Sequence, residues 1–267
     1  MKKYARLLAA MLAVVMMVFC FAACGAPATE PTDTETPNEP AANLNLQTEG
    51  VLVMGTNAEF PPFEYEEGGA VVGLDAEMMQ EAAKRIGVTL EIKNMAFDSL
   101  PEALNAKEID CIAAGLTVSP DREEVMAFTD GYYTAMQTII VKKDSDITAA
   151  DGLTDKKIGC QSGTTGQWTA EDYTDVANIV PFANGALAVE ALINGQVDAV
   201  IIDNNPAKEY GTQYGDQVTL IENQFEAETY AVAVAKDNTA LCDAINNAIN
   251  DMKADGTFDK IVEKYIK

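Results

Sequence analysis

The sequence predicts an α/β fold in two lobes. Short apolar runs alternate with helix-period patterns from Val51 to Lys267, the order expected of strands in largely parallel sheets covered by helices. The helical patterns stop at Gly87, Asn194-Gly195 and Gly256, residue types that close helices in a left-handed conformation. Two long apolar strands, near Ala135–Val141 and Glu228–Ala235, bracket a middle block, and each is placed to run from one sheet into another. The lobes expected are residues 51–136 with 232–267, and residues 137–231 between them.

The elements follow in order. Val51–Met54 is a strand that ends at Gly55. Asp75–Ile86 places Met78, Met79, Ala82, Ala83 and Ile86 on one helical face. Leu90–Ile92 is a strand, Ser99–Lys107 a short helix and Ile109–Ala113 a strand. Ser119 is then an N-cap, Pro120 fits the first helical position, and Asp121, Glu123 and Glu124 suit the positive end of the dipole. Tyr132–Val141 is a long strand, and Lys157–Cys160 a strand followed by the small-residue turn 161–166 and a helix. Gly185–Ile193 is a helix, Val197–Ile202 and Tyr230–Ala235 are strands, and Asn238–Asp255 and Phe258–Ile266 are closing helices.

The N-terminus reads differently. Lys2, Lys3 and Arg6 precede a 17-residue apolar run, Leu7–Ala23, which ends in small residues before Cys24. A basic start, an apolar stretch and small residues at the cut make residues 1–23 an export signal. The stretch before Cys24 resembles a bacterial lipobox, with Phe21 in place of the usual Leu, and this implies lipidation at Cys24 and an anchor in the membrane. The other reading is an uncleaved anchor; both leave the rest outside the cytoplasm. Residues 24–50 carry Pro27, Pro31, Pro37 and Pro40 among threonines and acids, as in a disordered, self-repelling tether.

The chain has 18 basic and 42 acidic residues and no histidine. Loss of the signal leaves 15 basic residues and a net charge of −27. Such a field opposes nucleic acid and anionic membrane surfaces. Without histidine, histidine-based acid–base catalysis is excluded. Cys111, Cys160 and Cys242 lie in apolar contexts without CxxC spacing, so buried free thiols are expected and neither metal nor cofactor is called for.

Five segments look like strand-end site material. Arg122 stands in an acidic first turn, five residues after Thr117. Two readings are open: its guanidinium fork grips a carboxylate, with Thr117 assisting, or it forms a surface ion pair of little energetic value. The loop Thr56–Tyr65 carries Phe60 and Phe63 around Pro61-Pro62, and Phe63 reads as core. The turn Gln161–Gly166 offers backbone N–H groups to an anion or is an ordinary strand–helix turn. Asp203 ends a strand; with Asn205 able to cap the helix that Pro206 begins, Asp203 is free for an ammonium group. Phe97 precedes a short helix, where core packing is the default.

Together these segments resemble the polar amino acid-binding family of periplasmic binding proteins, the lipoprotein receptors of amino-acid ABC importers. The shared pieces, in order, are the PPFE loop, Gly73-Leu74-Asp75, the run into GLTVSPDR, Ala127–Tyr133, the SGTT turn, the DAVIID strand and the tail Asp255–Tyr265. The resemblance implies a type II two-lobed fold, with two mixed sheets flanked by helices and joined by two hinge strands. It also implies a ligand clamped between the lobes. By resemblance, Arg122 grips the α-carboxylate with the N–H groups of Thr117 and Thr165. Asp203 takes the α-ammonium with the Gly115 carbonyl and the Thr117 hydroxyl, and Phe60 lies over the ligand. Asn57, Phe97, Gln161 and Ile202 face the ligand side chain. An acid often stands at the position of Asn57 when the ligand is cationic, so Asn57, Gln161 and Ile202 lean towards a neutral, polar side chain; Glu59 and Glu64 are the acids near enough to change that.

Three functions compete. The first is a monomeric receptor that passes a free L-amino acid to an ABC importer permease. The second is an enzyme on the same fold, a dehydratase or a lytic enzyme, for which Glu59 or Glu64 is the local candidate acid. The third is a sensing domain, disfavoured because no later membrane span or kinase segment follows before Lys267.

Overall fold

The computed structural model describes residues 43–266; the signal segment, Cys24 and the tether to residue 42 lie outside them. The strands are β1 (Val51–Thr56), β2 (Glu59–Phe60), β3 (Glu64–Glu67), β4 (Ala70–Val72), β5 (Thr89–Asn94), β6 (Cys111–Ile112), β7 (Met126–Phe128), β8 (Tyr133–Lys142), β9 (Ile158–Gln161), β10 (Ile179–Phe182), β11 (Ala199–Asp203), β12 (Val218–Ile221), β13 (Ala227–Tyr230) and β14 (Ala233–Ala235). The α-helices are α1 (Leu74–Ile86), α2 (Leu100–Asn105), α3 (Pro120–Val125), α4 (Thr165–Glu171), α5 (Gly185–Ile193), α6 (Asn204–Tyr214), α7 (Thr239–Asp255) and α8 (Thr257–Tyr265).

Two mixed sheets carry the two lobes. The first runs β5-β1-β6-β14-β7 and the second β10-β9-β11-β8-β12. Pairing is parallel between β1 and β5, β1 and β6, β9 and β10, and β9 and β11. It is antiparallel wherever β8 or β14 takes part. Antiparallel pairing is thus more extensive than the apolar alternation suggests, because β8 and β14 enter their sheets from the crossing segments. The N-terminal half of β8 pairs with β13 from Tyr133–Tyr230 to Met136–Ala227, and its C-terminal half pairs with β11 and β12. The second crossing segment is two strands, not one: β13 joins β8, and after Ala231-Val232 β14 joins the first sheet.

Sequence periodicity and packing agree over the helices. Met78, Met79, Ala82 and Ala83 of α1 are fully buried, and Gly87 ends the helix in the left-handed region at φ 86°. Gly256 closes α7 in the same way at φ 76°. Cys111, Cys160 and Cys242 are buried and free.

Four expectations need correction. The tether does not run to residue 50: Leu44 is buried, its carbonyl accepts from Asn238 Nδ2 at 3.0 Å, and Gln47 N–H donates to Asp110. Leu44 and Leu46 supply the apolar surface that the preceding Pro-rich stretch lacks. Asn205 is not the cap of α6; the helix begins at Asn204, and Asn205 Nδ2 donates to the Tyr133 hydroxyl at 2.7 Å. Ile202 packs into the core, because successive side chains of a strand point to opposite faces and Asp203 takes the cavity side. The short strands β2, β3 and β4 form a small antiparallel sheet where only a loop was expected, since runs this brief show no periodicity.

Candidate ligand-binding site

The carboxyl ends of both sheets face one cavity. Asn57 follows β1, Gly115 and Thr117 follow β6, Gln161 ends β9 and Asp203 ends β11. Phe60, Phe97, Arg122 and Thr165 complete the set, so nine of the ten residues expected to face the ligand line this cavity, Ile202 being the exception. Glu64, Ala114 and Thr164 line it as well.

Arg122 is fixed by its helix. Ser119 accepts from the Arg122 N–H at 3.3 Å and so caps α3, as its residue type predicts. Arg122 is 7 % exposed; its Nη1 donates to the Thr117 carbonyl at 2.7 Å and its Nη2 to the Gly163 carbonyl at 3.0 Å. Its carbon lies 4.8 Å from the Trp168 ring centre and 5.7 Å from that of Phe97. Arg122 is therefore not a surface ion pair. Burial lowers its pKa to about 10, opposed by the charges of Glu228 and Asp203, and it remains a cation at neutral pH. Two of its five N–H donors are used by these carbonyls, which leaves donors for an anion. Among the described residues, the N–H groups of Thr117 and Thr165 have no protein acceptor, and Thr165 is the first residue of α4.

Asp203 is the opposite pole. It stands at the N-cap position of α6 without capping it, and accepts from the Tyr230 hydroxyl at 2.6 Å. Among the described residues it forms no ion pair. Burial raises its pKa, and the charge of Glu228 raises it further. A buried carboxylate without a cation is the condition that an incoming ammonium group relieves.

Several bonds cross between the sheets. Gln161 Nε2 donates to Asn57 Oδ1 at 2.8 Å, and Asn184 Nδ2 donates to Glu59 Oε1 at 2.9 Å. Phe60 is 8 % exposed and stacks on Phe63 at 5.9 Å; Phe63 is fully buried against Tyr133 and Tyr230. Gly115 has φ 53°, and a Cβ there would sit 2.8 Å from the Phe60 ring. Only glycine lets the chain turn this close to the aromatic.

The model of the bacterial extracellular solute-binding proteins, family 3, matches residues 52–267. The chain belongs to this family. It is 31 % identical over 217 residues to the arginine-binding extracellular protein ArtP of Bacillus subtilis, covering 80 % of this chain and 85 % of that one. It is 34 % identical to a probable histidine-binding protein of Neisseria gonorrhoeae, with 85 % of each chain covered. Among solved structures, an ancestral arginine-binding protein bound to glutamine superposes with a TM-score of 0.78 at 38 % identity, covering 82 % of this chain and 99 % of that one.

Within this family member, three site residues, Trp168, Thr164 and Glu228, escape sequence reasoning, and a fourth, Glu64, is singled out only as a candidate acid. Trp168, the only tryptophan, flanks Arg122 from the first turns of α4. Thr164 caps α4 by accepting from Gln167 N–H at 3.3 Å, a signal present in the SGTT turn. Glu64 is fully buried, and burial and the neighbouring Asp75 charge raise its pKa well above the usual range. Asp75 is itself raised to about 6 by burial, against the stabilising bonds from Gly115 N–H and the Tyr132 hydroxyl. Glu64 is therefore held towards its protonated form, with neither of its oxygens hydrogen-bonded among the described residues. Glu228 lies outside every motif; the Thr117 and Thr165 hydroxyls both donate to its Oε2, at 2.6 and 2.8 Å.

Proposed function

We propose that this chain is the receptor of an ABC importer: a lipid-anchored, extracytoplasmic, monomeric protein that clamps a free L-amino acid between its lobes and delivers it to a permease. The observation that carries this reading is the separation of charge across the cleft. Arg122, two residues with unpartnered N–H groups and Asp203 line one cavity, and among the described residues no ion pair joins the two charges. A zwitterion leaving water needs both charges replaced. Charge-assisted bonds contribute about 1.5–3 kcal/mol each, so four or five of them supply about 6–15 kcal/mol, a range that brackets the ~8 kcal/mol of micromolar binding before closure costs.

The lobes we assign are 51–136 with 232–267, and 137–231; residues 43–50 pack on the first. Arg122 then belongs to one lobe and Asp203 to the other, so a single ligand bridges them and favours closure. The Asn57–Gln161 pair at the side-chain end is uncharged, which supports a neutral, polar side chain. A cationic side chain is the second reading: Glu59 lies 3.4 Å from Asn57 Nδ2, and relatives are named for arginine and histidine. An enzymatic role has less support. Glu64, the candidate acid, is fully buried, and burial with the neighbouring Asp75 charge holds it towards its protonated form.

A thermal-shift screen of the twenty L-amino acids tests the proposal. Ligands that bind the folded state raise its melting temperature by mass action. We expect one or a few amino acids to do so, glutamine and other neutral polar ones ahead of arginine; no shift with any amino acid refutes the receptor reading.

A further inference from the structure

Glu228 touches both lobes from the ribbon between the sheets. Its Oε2 lies 2.6 Å from Thr117 Oγ1, which follows β6, and 2.8 Å from Thr165 Oγ1, which begins α4. A carboxylate only accepts, so both bonds are donated by the hydroxyls. Each hydroxyl has a single hydrogen and spends it here. Thr165 Oγ1 also accepts from Gln137 Nε2 at 3.1 Å. The Thr117 oxygen therefore reaches the cavity with lone pairs alone: it can accept from an ammonium and cannot donate to a carboxylate.

We propose that Glu228 is a positioning residue of the binding site: by taking the hydrogens of Thr117 and Thr165, it fixes the Thr117 hydroxyl as an acceptor for the ligand's α-ammonium and ties the lobes together. This rests on the receptor reading above. Thr117 Oγ1 joins the Gly115 carbonyl and Asp203 as acceptors for a group with three N–H bonds. The carboxylate end is left to Arg122 and the backbone N–H groups of Thr117 and Thr165. The head-group polarity is thus set from behind the cavity wall, because Glu228 does not line it. The ligands selected carry a primary α-ammonium next to a carboxylate; the des-amino acids lack the group that this arrangement serves.

The twenty L-amino acids are the probes, and the one with the largest thermal shift is carried into calorimetric titration. Glu228→Ala is expected to weaken it 10-fold or more, mainly through faster release. Glu228→Gln, which keeps an accepting oxygen, restores affinity to within about 3-fold of the unaltered protein. Combined with Thr117→Val, Glu228→Ala adds less than 2-fold to the loss caused by Thr117→Val alone. Glu228→Asp, one methylene shorter, keeps the charge and gives a separate foldable variant with a loss of about 5-fold. Native affinity in Glu228→Ala or, if that variant does not fold, in Glu228→Asp overturns the inference. So do fully additive losses with Thr117→Val or failure of Glu228→Gln to rescue. If the unaltered protein binds no amino acid, the receptor reading itself fails; if it binds and Glu228 variants match it, only the present inference falls.

Discussion

Replacing Asp203 with asparagine separates binding from stability with opposite signs. The amide is isosteric with the carboxylate and still accepts from the Tyr230 hydroxyl, now 2.6 Å away. What disappears is one buried negative charge, opposed in the ligand-free protein by desolvation and by Glu228. Such a charge is retained at a cost, and its removal is expected to stabilise the ligand-free protein by about 1–2 kcal/mol. For a folded body of this size that is roughly 2–8 °C in Tm. Binding changes the other way. Loss of one charge-assisted bond to an ammonium costs about 1.5–3 kcal/mol, or roughly 10- to 150-fold in Kd. Thermal melts without ligand and calorimetric titration at pH 8, where Asp203 is ionised, read the two effects on the same preparation. Affinity within 2-fold of the unaltered protein removes Asp203 from the ammonium site. A lower ligand-free Tm would mean that its charge is paired, contrary to the geometry.

Arg122→Lys keeps the charge but loses the planar fork and its place between Phe97 and Trp168; titration should show a loss of about 10- to 100-fold, consistent with one or two charge-assisted bonds. Gly115→Ala forces a Cβ to 2.8 Å from the Phe60 ring at φ 53°, and chemical denaturation should register a loss of about 1–3 kcal/mol. The Asp75 carboxyl is fully buried with its pKa raised from 3.8 to about 6, so the folded state holds more protons than the unfolded one in that window. Its contribution to stability is therefore present below about pH 4 and is lost as pH rises through about 6, a difference of about 3 kcal/mol. Denaturant melts of the ligand-free protein should give greater stability at pH 5 than at pH 7.5, and Asp75→Asn should flatten the trend; a steady decline from pH 7.5 to 5 counts against it.

The helices were legible because their apolar faces and end glycines repeat at helical spacing: α1 runs from Leu74 to Ile86 and stops at Gly87, where the residues say it should. The cavity-lining residues were legible for a different reason. Arg122, Thr117, Thr165 and Asp203 fall at or just after strand ends, within local motifs that the sequence displays. Two kinds of feature were not legible. Strands of two to four residues, such as β2, β3 and β4, are too brief to show a period, and their existence depends on the neighbour that supplies the ladder. Side-chain partners far apart in the chain leave no local trace. Glu228 is 111 residues from Thr117 and 63 from Thr165.

The same distance explains why charge balance misleads when counted along the sequence. With 42 acids in the chain, a single arginine in an acidic turn looks destined for the nearest carboxylate. Asp121 and Glu123 flank it, yet the fold turns the guanidinium inward to carbonyls and aromatic rings, and Arg122 forms no ion pair within the described residues. Across the cavity Asp203 is likewise left without a cation. Two opposite charges are thus buried in one closed site without being paired to each other. Direct pairing would lower the energy of the empty protein and leave nothing for a ligand to gain. Holding them apart keeps both partly unsatisfied, and a zwitterion of matching length then satisfies both at once, converting their desolvation cost into selectivity for that head group.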